Sequence, residues 1–556
     1  LSRRVSEAYL AQRESLGFPW LERVKPISAA GMQEEAFESG QQPQTEAAFL
    51  LEIGTEELPA MDLKSALGQL EEKIPGWLEQ QRLACSGIRI FGTPRRLVVY
   101  VEDLAARQPD LEQAVKGPPA ERAFAEDGTP TKAAVGFAKS KGISVDDLQV
   151  IEMDSGRYVS ATVKQAGMAA FEVLGDSLPD LIRSLRFGKT MRWNSSNAAF
   201  SRPIRWLLTL HGGAVVPFEF AGLQSGRVTR GLRFKAPAEI TLDNPSQYFE
   251  ELVEQGILID PEERRESIFA QASQLASDVE SSMDTDPGLL DEVTNLVEAP
   301  TALRGTFDRS HLALPRQVLT SVMKKHQRYF PVYEKSSQGE EKSLAPYFIA
   351  VRNGDDLDIE EVIEGNEHVI RARFADADFF VKDDLKQPLE AFLPKLGTMT
   401  FQVKMGSMLD KSKRIAALAQ DLSSQIELTK TEQSTAKRAA ELCKADLATK
   451  MVVEMTSLQG YMGSYYAAQS GEDPEVSSAI FEHYLPRYAG DQVPASKAGL
   501  AVGLADRLDS LVGLFAAGLA PTGNKDPFAL RRAALGMLQY IIEWDLDFNL
   551  SEAVNQ

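Results

Sequence analysis

Two carboxylates and one imidazole in the C-terminal third of the chain are the residues best suited to hold a metal ion. Asp446 closes the run Lys-Ala-Asp, His483 follows it, and Asp506 opens the run Asp-Arg-Leu-Asp. Carboxylate oxygens and imidazole nitrogens are common ligands of divalent cations. Other catalytic signatures do not occur, since the sequence contains no GxxxxGK[ST], GxSxG or HExxH motif. The sequence therefore offers one candidate metal centre and no nucleophile triad.

The order of these residues resembles the HD superfamily of metal-dependent phosphohydrolases, in which a His-Asp pair and a later Asp hold a divalent cation. Here Ala445 precedes Asp446 where the resemblance requires histidine, and alanine has no ligand atom. A metal site needs its full set of ligands. We therefore predict an HD-like helical domain with degenerate positions Asp446, His483 and Asp506 and no bound metal. A metal-dependent phosphohydrolase is the alternative.

A basic segment in the first half of the chain is the second chemical candidate. Residues 183–235 contain ten Lys or Arg and one acid, whereas residues 243–309 contain sixteen acids and four Arg. Arg192, Arg202 and Arg205 each lie within two residues of Trp or Phe. Guanidinium groups hold phosphates and aromatic rings stack on bases, although here core packing explains the aromatic residues better. The excess charge predicts that these three arginines contact nucleic acid.

Two shorter basic motifs are candidates for the same role. Arg95 and Arg96 lie in a turn after Gly92-Thr-Pro, and Lys324, Lys325 and Arg328 precede two aromatic residues. The alternative for the second motif is a solvated helix end, where cations are favoured by the helix dipole.

Both strands and helices are predicted to position these residues. Short apolar runs predict strands at 49–53, 88–91, 97–101, 158–163, 207–210 and 215–220. From about residue 315 the helical pattern dominates, with helices predicted at 437–466, 499–519 and 527–543. The sequence thus predicts an α+β multidomain fold, in which a mixed α/β N-terminal region is followed by a largely helical, HD-like C-terminal region.

Composition excludes several classes of protein. The chain has 556 residues, a net charge of −20 and two cysteines. An acidic balance argues against a non-specific DNA-coating protein, and two cysteines cannot form a disulfide framework. The longest apolar stretch, residues 511–520, is too short to span a bilayer, so we expect a soluble protein with no membrane partner.

Seven motifs in order along the chain resemble the β subunit of the bacterial-type tetrameric glycyl-tRNA synthetase. They are residues 49–59 (FLLEIGTEELP), 91–97, 325–330, 365–373, 444–449, 458–463 and 525–532. Residues 1–23 resemble the last helix of the α subunit, so the whole resembles a fused α–β chain known from plastids and some bacteria. The resemblance implies an α+β chain of a glycine–tRNA ligase.

The resemblance also implies the reaction, the partners and the domains. ATP and Mg²⁺ would bind in the α part, which is almost entirely missing, and no cofactor or catalytic residue is expected in this segment. The expected partners are tRNA-Gly and the α catalytic part, in a dimer of fused chains or an α2β2-like assembly, in the plastid stroma or the cytoplasm. The expected domains are an α-like C-terminal helix (1–23), a linker (24–48), mixed α/β domains that bind tRNA (49–310), a connecting region (311–420) and an HD-like domain (421–556).

Overall fold

The computed structural model describes residues 2–15, 42–125, 128–153, 156–233, 235, 239–284, 286–335, 342–523 and 525–555. The chain divides into two compact units: unit 1 contains residues 1–265 and 294–300, and unit 2 contains residues 266–293 and 301–556. The helix expected in the first residues is present as α1 (Ser2–Ser15). The linker expected at 24–48 falls mostly outside the described residues, and the domain borders near 310 and 420 stay predictions.

Unit 1 is built from both strands and helices. Its strands are β1 (Ala47–Thr55), β2 (Cys85–Thr93), β3 (Arg96–Leu104), β4 (Leu111–Pro119), β5 (Gln149–Met153), β6 (Gly156–Gln165), β7 (Ile204–His211), β8 (Ala214–Val215), β9 (Glu219–Phe220), β10 (Leu223–Gly226), β11 (Val228–Arg230) and β12 (Glu239–Thr241). Its further helices are α2 (Ala60–Gln80), α3 (Ala120–Ala123), α4 (Lys132–Lys141), a 3-10 turn (Val145–Asp147), α5 (Ala170–Ser184) and α6 (Gln247–Glu254).

The main sheet of unit 1 has the strand order β2-β3-β1-β7-β10-β9, with β8 beside β7. β1 lies inside this sheet and pairs antiparallel with both β3 and β7. Alternate residues of β1 face two different cores: Leu51 packs in a core with residues of α2 and α5, and Leu50 in one with residues of α6. Because both faces are covered, every residue from Phe49 to Thr55 is buried, as the short apolar run at 49–53 predicted. The strand expected at 215–220 is split into β8 and β9 around Pro217, which has no N–H for a sheet ladder.

Each remaining element lies wholly or mostly in unit 2. Its strands are β13 (Ser281–Met283), β14 (Pro300–Thr306), β15 (Phe330–Glu334), β16 (Leu344–Asn353), β17 (Thr400–Gln402) and β18 (Gly406–Ser407). Its helices are α7 (Pro261–Ser277), α8 (Pro287–Thr294), α9 (Arg316–Ser321), α10 (Ile359–Asp384), α11 (Met408–Asp421), α12 (Lys430–Leu442), α13 (Lys450–Glu454), α14 (Tyr461–Gln469), α15 (Pro474–Glu482), α16 (Lys497–Ala516), α17 (Leu530–Glu543) and α18 (Leu550–Asn555). Shorter turns are the π-helix Val322–Gln327 and the 3-10 helices Arg309–Ala313, Leu389–Thr398, Ala445–Ala448 and Thr456–Leu458.

Unit 2 also contains a sheet that the helical pattern did not predict. Its strand order is β13-β15-β16-β14, and β16 is buried along most of its length. Short apolar runs cannot be assigned to strand or helix from periodicity alone. The C-terminal half is nevertheless mainly helical, as expected, and none of the helices in the described part of the chain is long and apolar enough to cross a membrane.

The continuous helix predicted over 437–466 is wrong, because this segment forms α12, α13 and α14 separated by 3-10 turns. Met451, Met455, Leu458 and Met462 are all buried, as their spacing required. However, Gly460 has φ of 78°, and Thr449 caps the start of α13 with its side chain. Burial of an apolar stripe therefore did not require one helix, since tertiary packing bends the chain around Asp446.

Candidate functional site

Three loops meet at the C-terminal end of β1 in unit 1. The Thr55 N–H donates to the Arg95 carbonyl (2.7 Å), and the Glu56 N–H donates to the Pro203 carbonyl (2.9 Å). We call residues 55–59, 93–96 and 201–204 the β1-end loops. Backbone hydrogen bonds fix these loops relative to one another, so motifs that lie far apart in sequence form one surface.

The predicted arginines lie at or beside the β1-end loops. Arg192 and Arg205 are exposed, whereas Arg202 is half-buried and donates through Nη1 to the Ser201 carbonyl (2.9 Å). Paired backbone hydrogen bonds join Met191 and Phe200, at 2.7 and 3.2 Å, and bring the chain at Arg192 close to this segment. The structure therefore places the backbone of the segment that carries Arg192 beside the segment that leads to Arg202 and Arg205.

An acidic residue and a second arginine lie beside Arg205 on this surface. Its Nε lies 3.3 Å from Glu56 Oε1, and Nη2 of Arg233 lies 2.6 Å from Glu56 Oε2. Glu57 Oε1 is 3.7 Å from Nη1 of Arg233. The surface thus carries a pair of guanidinium groups joined by one carboxylate.

Trp206 is a core residue, as its sequence context suggested. Its ring covers Gly54 on the neighbouring strand so closely that a Cβ at Gly54 would lie 1.9 Å from ring atoms. The guanidinium carbons of Arg95, Arg96 and Arg230 lie 5.2–5.8 Å from its centroid. Cations at this distance attract the ring, so Trp206 links the core to the charged groups around it.

Arg95 and Arg96 lie inside unit 1 and bind carboxylates, whereas the sequence analysis expected them to face a ligand. Arg96 is fully buried, with Nε 3.0 Å from Glu298 Oε1 and Nη1 3.2 Å from Glu52 Oε1. Nη1 of Arg95 lies 3.5 Å from the second oxygen of Glu298. Burial opposes ionisation of Glu298, but the two guanidinium groups outweigh it and lower its pKa. These arginines therefore stabilise the base of the β1-end loops.

The second basic motif lies in unit 2. Lys324 and Lys325 belong to the π-helix, and Arg328 ends it in the left-handed conformation (φ 57°). Nζ of Lys324 is 3.0 Å from Asp286, and Nε of Arg328 is 3.0 Å from Glu292. Lys324 is partly exposed, and Lys325 and Arg328 are exposed. The motif is a charged surface feature, which fits both the nucleic-acid and the solvated-helix interpretation.

Two of the three predicted metal positions of unit 2, His483 and Asp506, lie on either side of a lysine. Nζ of Lys444 lies 2.8 Å from His483 Nε2 and 2.7 Å from Asp506 Oδ2. Nζ of Lys411 lies 2.8 Å from Asp506 Oδ1 and 2.9 Å from Asp509 Oδ2. We call these five residues the lysine centre. Each of its carboxylates contacts an ammonium group, which balances the charge within the interior.

The lysine centre dictates the protonation of His483. Because an ammonium group can only donate, Nε2 of His483 accepts from Lys444, and Nδ1 donates to the Ile480 carbonyl (2.6 Å). Burial and the neighbouring Lys444 lower the pKa of His483 well below its usual value. The pKa of Asp506 is also well below its usual value, because Lys411 and Lys444 outweigh the effect of burial. His483 is thus neutral and Asp506 is ionised.

Asp446 is not a member of the lysine centre. Its Oδ2 accepts from the backbone N–H groups of Gly460 (2.6 Å) and Gly463 (3.1 Å). Burial raises its pKa to about 6 even though these N–H groups oppose the shift. Asp446 therefore fixes the chain between α13 and α14.

These residues do not fit a divalent cation. Lys444 Nζ lies between His483 and Asp506, where it repels a metal ion, and Ala445 has no ligand atom. Within the described ranges no three His, Cys, Asp or Glu side chains converge as metal ligands. The sequence predicted these positions, but the ion pairs of Lys444 and Lys411 appear only in the structure.

Comparison with known proteins identifies the family. The family model for the glycyl-tRNA synthetase beta subunit matches residues 49–556. The glycine–tRNA ligase beta subunit of Desulforamulus reducens is 47% identical over 506 residues, which cover 91% of this chain and 72% of that protein. Those of Moorella thermoacetica and Clostridioides difficile are 46% and 45% identical over 91% and 89% of this chain and 72% and 71% of their own lengths. This chain belongs to the glycyl-tRNA synthetase beta subunit family.

The match confirms the resemblance that the seven motifs indicated. Within this family member, motif 49–59 supplies β1 and the first of the β1-end loops, and motif 444–449 supplies the lysine centre through Lys444. The sequence did not predict that Glu56 forms ion pairs with both Arg205 and Arg233. Glu56 belongs to motif 49–59 and Arg233 to the basic segment 183–235, but neither fact shows that the two side chains meet.

Proposed function

We propose that this chain is the β part of a glycine–tRNA ligase, which attaches glycine to tRNA-Gly at the expense of ATP. The observation that carries the proposal is the family match over residues 49–556. The relatives named above are beta subunits, which supports an α catalytic part as partner and the binding of tRNA by the β part. ATP and Mg²⁺ would act in the α part, and we assign no catalytic side chain in the β part.

The proposed RNA surface in unit 1 consists of Arg192, Arg202 and Arg205. The chain carries a net charge of −20, so an approaching polyanion is repelled by most of the protein and attracted to locally positive regions. Residues 183–235 provide such a region. Arg95 and Arg96 are left out because their guanidinium groups are buried against Glu298.

Lys324, Lys325 and Arg328 are the proposed RNA contacts of unit 2. The Tyr329 hydroxyl donates to Asn366 Oδ1 on α10 (2.5 Å), so the end of this motif is anchored while Lys325 remains exposed. Surface ion pairs such as Lys324–Asp286 contribute about 0–1 kcal/mol, so a phosphate can replace the carboxylate.

The RNA surface is tested by filter binding of tRNA-Gly across a salt series. Replacing Arg192, Arg202 and Arg205 together with Ala should lower the affinity and reduce the salt slope by about one unit for each phosphate that the protein no longer neutralises. Arg89→Ala is the matched control, because Arg89 is 48% exposed and 3.6 Å from Glu102, whereas Arg205 is 52% exposed and 3.3 Å from Glu56. The control should retain both the affinity and the slope.

The ligase assignment is tested separately by glycylation. The chain mixed with a catalytic α part should charge tRNA-Gly, whereas the chain alone should catalyse no glycine-dependent pyrophosphate exchange. A folded triple variant with wild-type affinity and slope would refute the RNA surface and leave the ligase assignment standing. Exchange by the chain alone would refute the assignment of the chemistry to the α part.

Finer aspects of the assignment also belong to the proposal. An HD-like domain at 421–556 with a lysine in its centre is supported by the positions of Lys444, His483 and Asp506, and a phosphohydrolase is disfavoured by the same lysine. Residues 1–23 as an α tail support a fused chain in a dimer or α2β2-like assembly. The named relatives are bacterial, which supports the cytoplasm and gives no support to the plastid.

A further inference from the structure

Glu56 lies between two arginines on the surface of unit 1. Its Oε1 is 3.3 Å from Arg205 Nε, and its Oε2 is 2.6 Å from Arg233 Nη2. The side chains of Glu56, Arg205 and Arg233 are 37%, 52% and 44% exposed. Both carboxylate oxygens are therefore used, and all three groups can be reached from solvent.

The backbone that carries Glu56 is held in place. The Glu56 N–H donates to the Pro203 carbonyl (2.9 Å), and the neighbouring Leu58 N–H donates to the Pro94 carbonyl (2.7 Å). Only side-chain rotation is needed to move the carboxylate away from Arg205 and Arg233. The loop thus presents an anion to both guanidinium groups and can withdraw it without unfolding.

The energies allow this exchange. An exposed ion pair contributes about 0–1 kcal/mol, because water and salt screen it. A phosphate offers the same arrangement of oxygens that a carboxylate offers to a guanidinium fork. A phosphate held in place by the rest of a bound RNA can therefore displace Glu56, whereas a stray anion gains little.

We propose that Arg205 and Arg233 form a binding site for one RNA backbone phosphate, and that Glu56 occupies this site when RNA is absent. The inference rests on the proposed function, because it assigns a partner to the same arginine surface. Glu56 is then a competitor that weakens binding of polyanions that cannot reach the other RNA-binding side chains. Its removal strengthens RNA binding, because the phosphate no longer has to displace a carboxylate.

The test is Glu56→Gln in the full chain, with filter binding of tRNA-Gly over a salt series. The affinity should rise about 3- to 10-fold, which corresponds to loss of two competing surface ion pairs. The salt slope should change by less than about one unit, because the same phosphate is neutralised in both proteins. Glu57→Gln is the matched control, because it removes the same charge one residue away, where the carboxylate is 60% exposed and 3.7 Å from Arg233.

A double-mutant cycle separates competition for the arginines from a general charge effect. The gain from Glu56→Gln should vanish when Arg205 and Arg233 are replaced by Ala, after melting curves show that the variants fold. A gain that persists in that background, or an equal gain from Glu57→Gln, would overturn the proposal. Binding of inorganic phosphate alone to the Glu56→Gln protein at submillimolar concentration would also overturn it, in favour of a small-anion site.

The remaining outcomes distinguish this inference from the proposed function. If the arginine variants bind tRNA-Gly more weakly but Glu56→Gln leaves affinity unchanged or lowers it, the RNA surface stands and the competitor role of Glu56 is wrong. If neither the Arg205 and Arg233 variants nor the triple arginine variant changes affinity, the RNA surface and this inference both fail.

Discussion

Replacing Lys444 with Met removes the ammonium group at the middle of the lysine centre. The Lys444 side chain is 5% exposed, and its Nζ contacts Asp506 and His483 at 2.7 and 2.8 Å. Methionine has a similar length and no charge, so the substitution leaves the volume nearly filled. The main effect is that Asp506 loses one of its two cations and His483 loses its donor.

The expected loss of stability is large because the site is buried. Breaking a buried ion pair by removing one partner costs about 3–5 kcal/mol, since the remaining charge is left without compensation. Lys450→Met is the matched control: Lys450 also lies 2.7 Å from a carboxylate, that of Asp383, but it is 52% exposed. Surface ion pairs contribute about 0–1 kcal/mol, so the loss of folding stability should be severalfold larger for Lys444→Met than for Lys450→Met.

The assay is urea unfolding at pH 7, supported by thermal melting. At roughly 2–4 °C per kcal/mol for a domain of this size class, Lys444→Met should lower the Tm by about 6–20 °C and Lys450→Met by a few degrees at most. Adding Asp506→Asn to Lys444→Met should cost less than the sum of the single variants, because the uncompensated carboxylate is removed. Equal, small losses for the two lysine variants, or additive effects in the double variant, would refute the argument.

Two further predictions concern backbone packing and pH. Gly54→Ala should destabilise the protein by about 1–3 kcal/mol or more, because the added Cβ would overlap the Trp206 ring. Gly68→Ala should instead stabilise α2 by about 0.5–1 kcal/mol, because a Cβ at Gly68 has no neighbour within 4 Å. The midpoints of urea unfolding measure both effects, and equal shifts for the two variants would contradict the packing argument. In the folded state the pKa of Asp446 is raised from 3.8 to about 6, so between these values the folded protein holds a proton that the unfolded chain has lost. The contribution of Asp446 to stability therefore falls by about 2 kcal/mol as pH rises from about 4 to 6. Comparing wild-type and Asp446→Asn urea midpoints from pH 4 to 7 should show this decline in the wild type relative to the variant, and parallel curves would contradict it.

Some elements were predictable because local composition and tertiary environment agree. The apolar run Phe49-Leu-Leu-Glu-Ile predicted a buried strand, and β1 has neighbours on both edges and cores on both faces. The helices at 499–519 and 527–543 appear as α16 and α17, since their apolar periodicity matches a buried helical face. The family was also readable from the sequence, because seven motifs in a fixed order, several of them seven or more residues long, are far more specific than composition.

The burial or exposure of individual charged residues could not be predicted from the sequence. Arg96 and Arg205 have the same charge, and each precedes an apolar run in the sequence, yet Arg96 is fully buried against Glu298 and Glu52 whereas Arg205 faces solvent. Glu298 lies more than 200 residues from Arg96, so no local pattern could show that they meet. Exposure depends on which distant segment supplies the opposite charge.

The sequence by itself determined the family, the presence of both strands and helices in the first half and the positions of Asp446, His483 and Asp506. Only the tertiary structure decided that Lys444 lies between two of those positions and that Asp446 instead holds the backbone at Gly460. The physical reason is that burial makes an unpaired charge costly, so the chain must satisfy each buried ionic group with partners drawn from any part of the fold. Those partners are chosen by packing in three dimensions, which one-dimensional spacing does not encode.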